Sequence, residues 1–112
     1  MAEDLYANLE ITPREVKELL AQGKKFLFVE VREPWEFDAS RIEGATLVPL
    51  REIPAHLAQF EQAEEVVLLC HHGMRSLDAA AWLRSQGVAG ARSMAGGIDR
   101  WSEEIDPSVP RY

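Results

Sequence analysis

A chain of 112 residues fits one compact domain and is too short for two ordinary ones. Its hydrophobic share of 46% suits a globular chain with a real core and argues against disorder. A net charge of −7 speaks against nucleic-acid binding, which needs a basic surface, and a single cysteine excludes an internal disulfide.

The start of the chain, Met1-Ala2-Glu3-Asp4, is acidic, whereas an export signal opens on positive charge and an apolar run. No apolar run approaches the ~20 residues of a membrane helix. The expected setting is therefore cytoplasmic and reducing, with no membrane partner. Leu9 to Ile11 reads as a short strand. A helix follows, with Thr12 as N-cap, Pro13 at its first position and Glu15 completing a capping box. Ile11 and Val16 flank the cap as a hydrophobic staple would. Val16, Leu19 and Leu20 form an apolar stripe, and Gly23 ends the helix.

Phe26 to Val31 is nearly all apolar and reads as a buried strand, broken by Arg32-Glu33-Pro34. A short helix through Trp35, Glu36 and Phe37 comes next, then a strand from Thr46 to Val48. Leu50, Ile53, Leu57 and Phe60 recur at helical spacing, which predicts a helix near 53–61. Val66 to Cys70 is the central strand. Ser76 to Gln86 is a helix with Ala79, Ala80 and Leu83 buried and Gly87 as its stop. Ala91 to Met94 is the last strand. Ile98, Trp101 and Ile105 give a final helix its buried face. The tail 107–112 contains two prolines and is expected to be extended. Short apolar runs alternating with helical periodicity predict an α/β domain on a mostly parallel central sheet of about five strands.

The segment that carries chemistry is Cys70-His71-His72-Gly73-Met74-Arg75-Ser76. It puts a thiol at the C-terminal edge of a parallel sheet, where open α/β folds bind ligands, and at the start of a helix. Free N–H groups and the helix dipole favour a thiolate there, and Arg75 adds a positive charge. Gly73 lets the loop curl so that several N–H groups face one anion. The bland alternative is an inert buried cysteine, the usual fate of a lone thiol at a strand end.

Three segments resemble a single-domain rhodanese. They are Val29-Glu30-Val31-Arg32-Glu33-Pro34-Trp35-Glu36-Phe37 with Ile42-Glu43-Gly44-Ala45, the Cys70 to Ser76 loop, and Gly96-Gly97-Ile98-Asp99-Arg100-Trp101. The resemblance covers about 9–105 of a single domain spanning 1–112. It implies a rhodanese-like fold with helices on both faces of the sheet. It also implies sulfur transfer through a Cys70 persulfide, from thiosulfate or a persulfide donor to a thiol or other thiophilic acceptor. The implied donor is a small molecule or a protein persulfide. By that resemblance, His71, His72, Gly73, Met74, Arg75 and Ser76 bind the substrate, with the amides of His71 to Arg75 as an anion cradle. No metal or organic cofactor is required. Many rhodaneses carry aspartate where Glu30 stands and histidine where Arg41 stands.

Other roles compete. Thiolate phosphatases place five residues between cysteine and arginine, whereas four separate Cys70 from Arg75. That smaller ring suits sulfur better than a tetrahedral phosphate. A sulfur-relay or protein-interaction module with little small-molecule turnover is the other alternative. Arg75 can steer anionic donors or pair with Glu30 or Glu36. Arg32 and Glu30 are supporting candidates, with a structural ion pair the simpler role for Arg32. Adjacent His71 and His72 point different ways and make a poor zinc site with Cys70. His56 is expected on a helix surface, and Trp35 and Trp101 as core or wall residues. No heptad or apolar surface stripe sets an oligomeric state.

Overall fold

The computed structural model describes residues 8–112, so the acidic Met1–Asp4 segment lies outside the described residues. The chain runs through β1 (Glu10–Ile11), α1 (Pro13–Ala21), β2 (Leu27–Glu30), α2 (Pro34–Ala39), β3 (Thr46–Leu47), a 3-10 segment (Leu50–His56), α3 (Leu57–Glu61), β4 (Val66–Leu69), α4 (Met74–Ser85), β5 (Ala91–Met94) and α5 (Gly97–Glu104). The five strands form one sheet in the order β1-β5-β4-β2-β3, with every neighbouring pair parallel.

Side-chain alternation along β4 builds two cores. Val66, Leu68 and Cys70 face one side, with Ala79, Ala80 and Leu83 of α4, Ile53, and Phe60 of α3. Val67 and Leu69 face the other, with Val16 of α1 and Ile98 and Trp101 of α5. All four β4 residues are fully buried. Each such Val or Leu side chain contributes about 1.5–3 kcal/mol relative to exposure, so β4 is the axis of the domain. Helices therefore cover both faces of the sheet.

Local chemistry explains most boundaries. The Thr12 hydroxyl accepts the Glu15 N–H at 3.1 Å, and the Glu15 carboxylate accepts the Thr12 N–H at 3.0 Å. Such a cap is worth about 1 kcal/mol. Ile11 and Val16 both lie in the second core, as a staple requires.

The stripe of α1 is narrower than expected. Val16 is buried and Leu19 packs against the core, but Leu20 is 39% exposed. Val16 and Leu19 already fill the contact with the sheet over a nine-residue helix. The helix expected near 53–61 is a 3-10 segment running into a short α3. Pro54, inside it, lacks the N–H that an α-helix would use. The helix after Cys70 begins at Met74, two residues before the expected start, because Gly73 in the left-handed region already serves as its N-cap. Trp101 is in the core, but Trp35 is 65% exposed, so it is not a core residue.

Candidate active site

Connections set the place of the site. From β2 the chain moves outward to β3, whereas from β4 it moves the opposite way to β5. The loops after β2 and β4 therefore diverge and leave a crevice between their C-terminal ends, the usual ligand position of an open α/β sheet. Arg32 and Glu36 follow β2, and the Cys70–Ser76 loop follows β4. Ile98 and Asp99, after β5, close the third side. Their N–H groups donate to the Cys70 and His71 carbonyls at 2.8 and 3.1 Å.

Cys70 is 1% exposed, and its sulfur is nonetheless surrounded by donors. The Gly73 and Ser76 N–H groups reach Sγ at 3.1 and 3.4 Å. The Ser76 hydroxyl lies 3.3 Å from Sγ and 2.7 Å from the hydroxyl of Ser93 on β5. With Ser93 donating to Ser76, the Ser76 proton is free to point at sulfur. These amides belong to the N-cap and first turn of α4, which have no partner within the helix. An inert apolar thiol would have no such surroundings; a thiolate or persulfide anion would be held by them.

Backbone constraints hold the loop to this shape. Gly73 has φ 107°, and a Cβ there would sit 3.2 Å from the Gly96 nitrogen. Gly97 has φ 62°, and a Cβ on it would fall 2.4 Å from both the Cys70 and the His71 carbonyl oxygens. Only glycine allows α5 to approach the cysteine loop this closely.

The charged groups are already paired. Arg75 makes a two-pronged contact with Glu36, at 2.6 and 2.9 Å. Hydrogen bonding from Arg75, helped by the Glu33 N–H and Tyr112, holds the Glu36 carboxyl down at about 2 despite its burial. Of the two roles weighed for Arg75, the ion pair with Glu36 is the one seen. Both terminal guanidinium nitrogens of Arg75 are engaged by the Glu36 carboxylate. Arg32 is completely buried and donates to Glu30, to the Ser40 carbonyl and to the Tyr112 hydroxyl. Burial pushes the Glu30 carboxyl up while Arg32 pulls it back, and Glu30 Oε2 has no partner. The long Glu30 side chain thus serves Arg32 rather than the loop itself.

His71 and His72 do not point different ways as expected of neighbours: in a loop outside regular structure their rings stack with centroids 4.0 Å apart, and Tyr112 stacks on His71 at 4.1 Å. Burial, then His72, lowers the His71 pKa, so the ring is neutral near pH 7. Among the described residues, His71, His72 and Asp99 form a group whose ligand atoms lie within 4.8 Å of one another. Arg111 holds Asp99, one of the three, at 2.9 and 3.1 Å. Cys70 is not a member of the group. His56 is half-buried beside Gln59, on the 3-10 segment. Met74 is 70% exposed, on the rim. Arg41 lies over the Phe37 ring. A cavity of about 490 Å³, lined by Lys25, Leu27, Gln59 and Glu65, opens at the N-terminal edge of β2 and β4, the wrong end of the sheet for Cys70.

Three contributors were not among the site residues expected from the sequence. Glu36 was considered only as a partner of Arg75. Ser93 sits in an ordinary-looking strand. Tyr112 follows two prolines, and no local pattern points to it. The tail 107–112, expected to be simply extended, instead packs back on the site.

Comparison with known proteins gives a consistent result. The family described as the rhodanese-like domain matches residues 12–104. A probable adenylyltransferase/sulfurtransferase, MoeZ of Mycobacterium tuberculosis, is 36% identical over 104 residues. That match takes in 91% of this chain but spans only 26% of MoeZ. A sulfurtransferase of Allochromatium vinosum is 31% identical over 89% of this chain and 94% of its own length. Among solved structures, the human single-domain sulfurtransferase TSTD1 superposes with a TM-score of 0.77 at 31% identity, covering 86% of this chain and 96% of that one.

Proposed function

The chain belongs to the rhodanese-like domain family, and from that premise we propose that it transfers sulfane sulfur through a persulfide on Cys70. Its sulfurtransferase relatives, one of them matched over nearly its full length, support activity of this type. The single observation that carries the mechanism is the set of donors converging on the Cys70 sulfur: two main-chain N–H groups and the Ser76 hydroxyl.

The Cys70 thiolate attacks the outer sulfur of thiosulfate. A sulfur–sulfur bond forms to Cys70, the bond to the sulfonate sulfur breaks, and sulfite leaves with that electron pair. The negative charge moves to the outer sulfur of Cys70–S–S⁻. An acceptor, cyanide in the simplest assay, then attacks that outer sulfur, leaves as thiocyanate and returns the Cys70 thiolate. Two half-reactions through one covalent intermediate give ping-pong kinetics. His71, His72, Gly73, Met74, Arg75 and Ser76 line this chemistry, with Arg32 and Glu30 in support. No metal or organic cofactor enters either step, and the thiol is used in its reduced form.

Intact mass after thiosulfate treatment tests the intermediate. The protein is expected to gain one sulfur atom, to lose it to cyanide as thiocyanate, and to do neither as Cys70→Ser. Absence of the sulfur adduct in the native protein rejects the mechanism.

A second reading, a sulfur relay serving a protein donor or acceptor, is favoured by the exposed Trp35 and Met74 beside the loop. The MoeZ relative, in which the matched segment is a minor part, makes a protein context reasonable. Slow thiosulfate turnover together with retention of a cysteine desulfurase would favour this reading; fast turnover without a stable partner would count against it.

A further inference from the structure

Residues 107–112 have almost no regular structure, yet each of several anchors ties them down. Val109 is buried in the core with Ile42 and Trp101. The Ser102 hydroxyl of α5 donates to the Val109 carbonyl, and the Ser40 hydroxyl, just after α2, donates to the Pro110 carbonyl at 2.5 Å. Arg111 pairs with Asp99. These anchors come from two separate elements, and their joint effect is to deliver Tyr112 to the crevice.

The Tyr112 hydroxyl accepts from Arg32 and donates to Glu36 Oε2 at 2.7 Å. The direction of both bonds is fixed, since a guanidinium only donates and a carboxylate only accepts. Burial and the Glu36 contact push the phenol up to about 12, so the donating proton stays in place. The ring stacks on His71 and meets Trp35 edge-on, with centroids 5.9 Å apart.

We propose that Tyr112 is a positioning residue for the Cys70 loop, clamping His71 through its ring and joining the Glu30–Arg32 and Glu36–Arg75 ion pairs through its hydroxyl. The two attachments fall on either side of the sulfur cradle. His71 directly follows Cys70. Arg75 directly precedes Ser76, whose N–H and hydroxyl face Sγ. Holding Arg75 on Glu36 therefore fixes the first turn of α4 in the position the sulfur needs. A cradle fixed before the anion forms costs no reorganisation when charge develops. Relevance to turnover rests on the sulfur-transfer reading of Cys70, but the positioning itself can be read without any sulfur donor.

The test is the rate of Cys70 alkylation by iodoacetamide as a function of pH, in the full chain. It compares the native protein with Tyr112→Phe, Tyr112→Leu, Glu36→Gln and the Tyr112→Phe/Glu36→Gln double variant. Charged or titratable groups around the thiol are Arg75, Glu36, Arg32, Glu30, His71, His72, Asp99 and Tyr112; the variants disturb Glu36 and, through it, Arg75, and the Tyr112 variants also disturb Arg32 and His71. Tyr112→Phe keeps the ring and loses only the hydroxyl. It is expected to shift the alkylation profile to higher pH and slow the reaction near neutrality about threefold to tenfold, the range of one net hydrogen bond. Tyr112→Leu should slow it further. The double variant should be little worse than Glu36→Gln alone, because both act through the same carboxylate. In thiosulfate turnover the Tyr112→Phe loss should fall on kcat rather than KM.

A Tyr112→Phe profile that superposes on the native one, even with a lowered Tm, overturns the proposal and leaves Tyr112 a stabiliser of the fold. Additive losses in the double variant overturn the route through Glu36. A shifted profile in a protein that never forms a persulfide supports the positioning role while rejecting sulfur transfer.

Discussion

Ser76 puts two donors on one sulfur, its N–H at 3.4 Å and its hydroxyl at 3.3 Å, and only the second can be removed by substitution. Ser76→Ala is therefore expected to keep the fold and lower sulfur-transfer kcat about tenfold, the loss of one charge-assisted hydrogen bond. Ser93→Ala, one hydroxyl further from sulfur, should cost less, because it removes only the bond that Ser93 donates to Ser76 and leaves the Ser76 hydroxyl beside Sγ. Steady-state kinetics on thiosulfate would show the order, and an equal effect of the two would argue against the relay. At this scale Cys70, Gly73 and Ser76 are readable in the chain because they share one loop, and a strand followed by a helix start fixes their relation. Glu36, Ser93 and Tyr112 are not readable there. Their roles arise from residues brought together over separations of up to 80 positions, as between Arg32 and Tyr112. The exposure of Trp35 was equally invisible, since aromatic character by itself predicts burial.

Two helix starts make the cradle. Gly73 opens α4 beneath the sulfur, and Gly97 opens α5 against the carbonyls of Cys70 and His71. Gly97→Ala would force a Cβ to 2.4 Å from two main-chain oxygens and impose an unfavourable positive φ. Neither oxygen can swing aside as a flexible side chain could. The expected loss is about 3 kcal/mol or more in urea unfolding, with a displaced cysteine loop and impaired turnover. A near-neutral Gly97→Ala would show that α5 can back away from the loop at little cost. Element types were legible because apolar spacing and caps agree, as at Thr12-Pro13 and in the continuous apolar run before Cys70. Finer features were not. The 3-10 segment before α3 depends on what Pro54 does inside an otherwise helical pattern, and the early start of α4 depends on the conformation of a single glycine.

Across the whole molecule, paired carboxylates link the site to stability. Glu36 has a folded pKa of about 2, below its ordinary value of 4.5, so its ion pair stabilises the fold fully above that ordinary value. That contribution is lost as pH falls through the window from 4.5 to about 2. Glu30 works the other way, since burial raises its pKa and its protonation favours the folded state. Urea unfolding across this window should show the native protein losing its advantage over Glu36→Gln as acid is added. A difference that stays constant with pH would mean the Arg75–Glu36 pair contributes nothing through charge. The sheet was legible at this scale as parallel α/β, because βα alternation leaves few other arrangements. The strand order that creates the crevice, and the return of residues 107–112 to it, are properties of the folded chain and leave no periodic trace.

The sulfur is held largely by peptide groups, and this sets which changes the site can absorb. His72 and Met74 are exposed, whereas the groups that hold Sγ belong to Gly73 and Ser76. Replacing them repaints the doorway while the N–H groups behind it stay put. Variation among descendants of such a loop can therefore alter which sulfur carrier is admitted without rebuilding the chemistry. Mutational freedom is concentrated at the entrance, and constraint at the glycines that shape the main chain behind it.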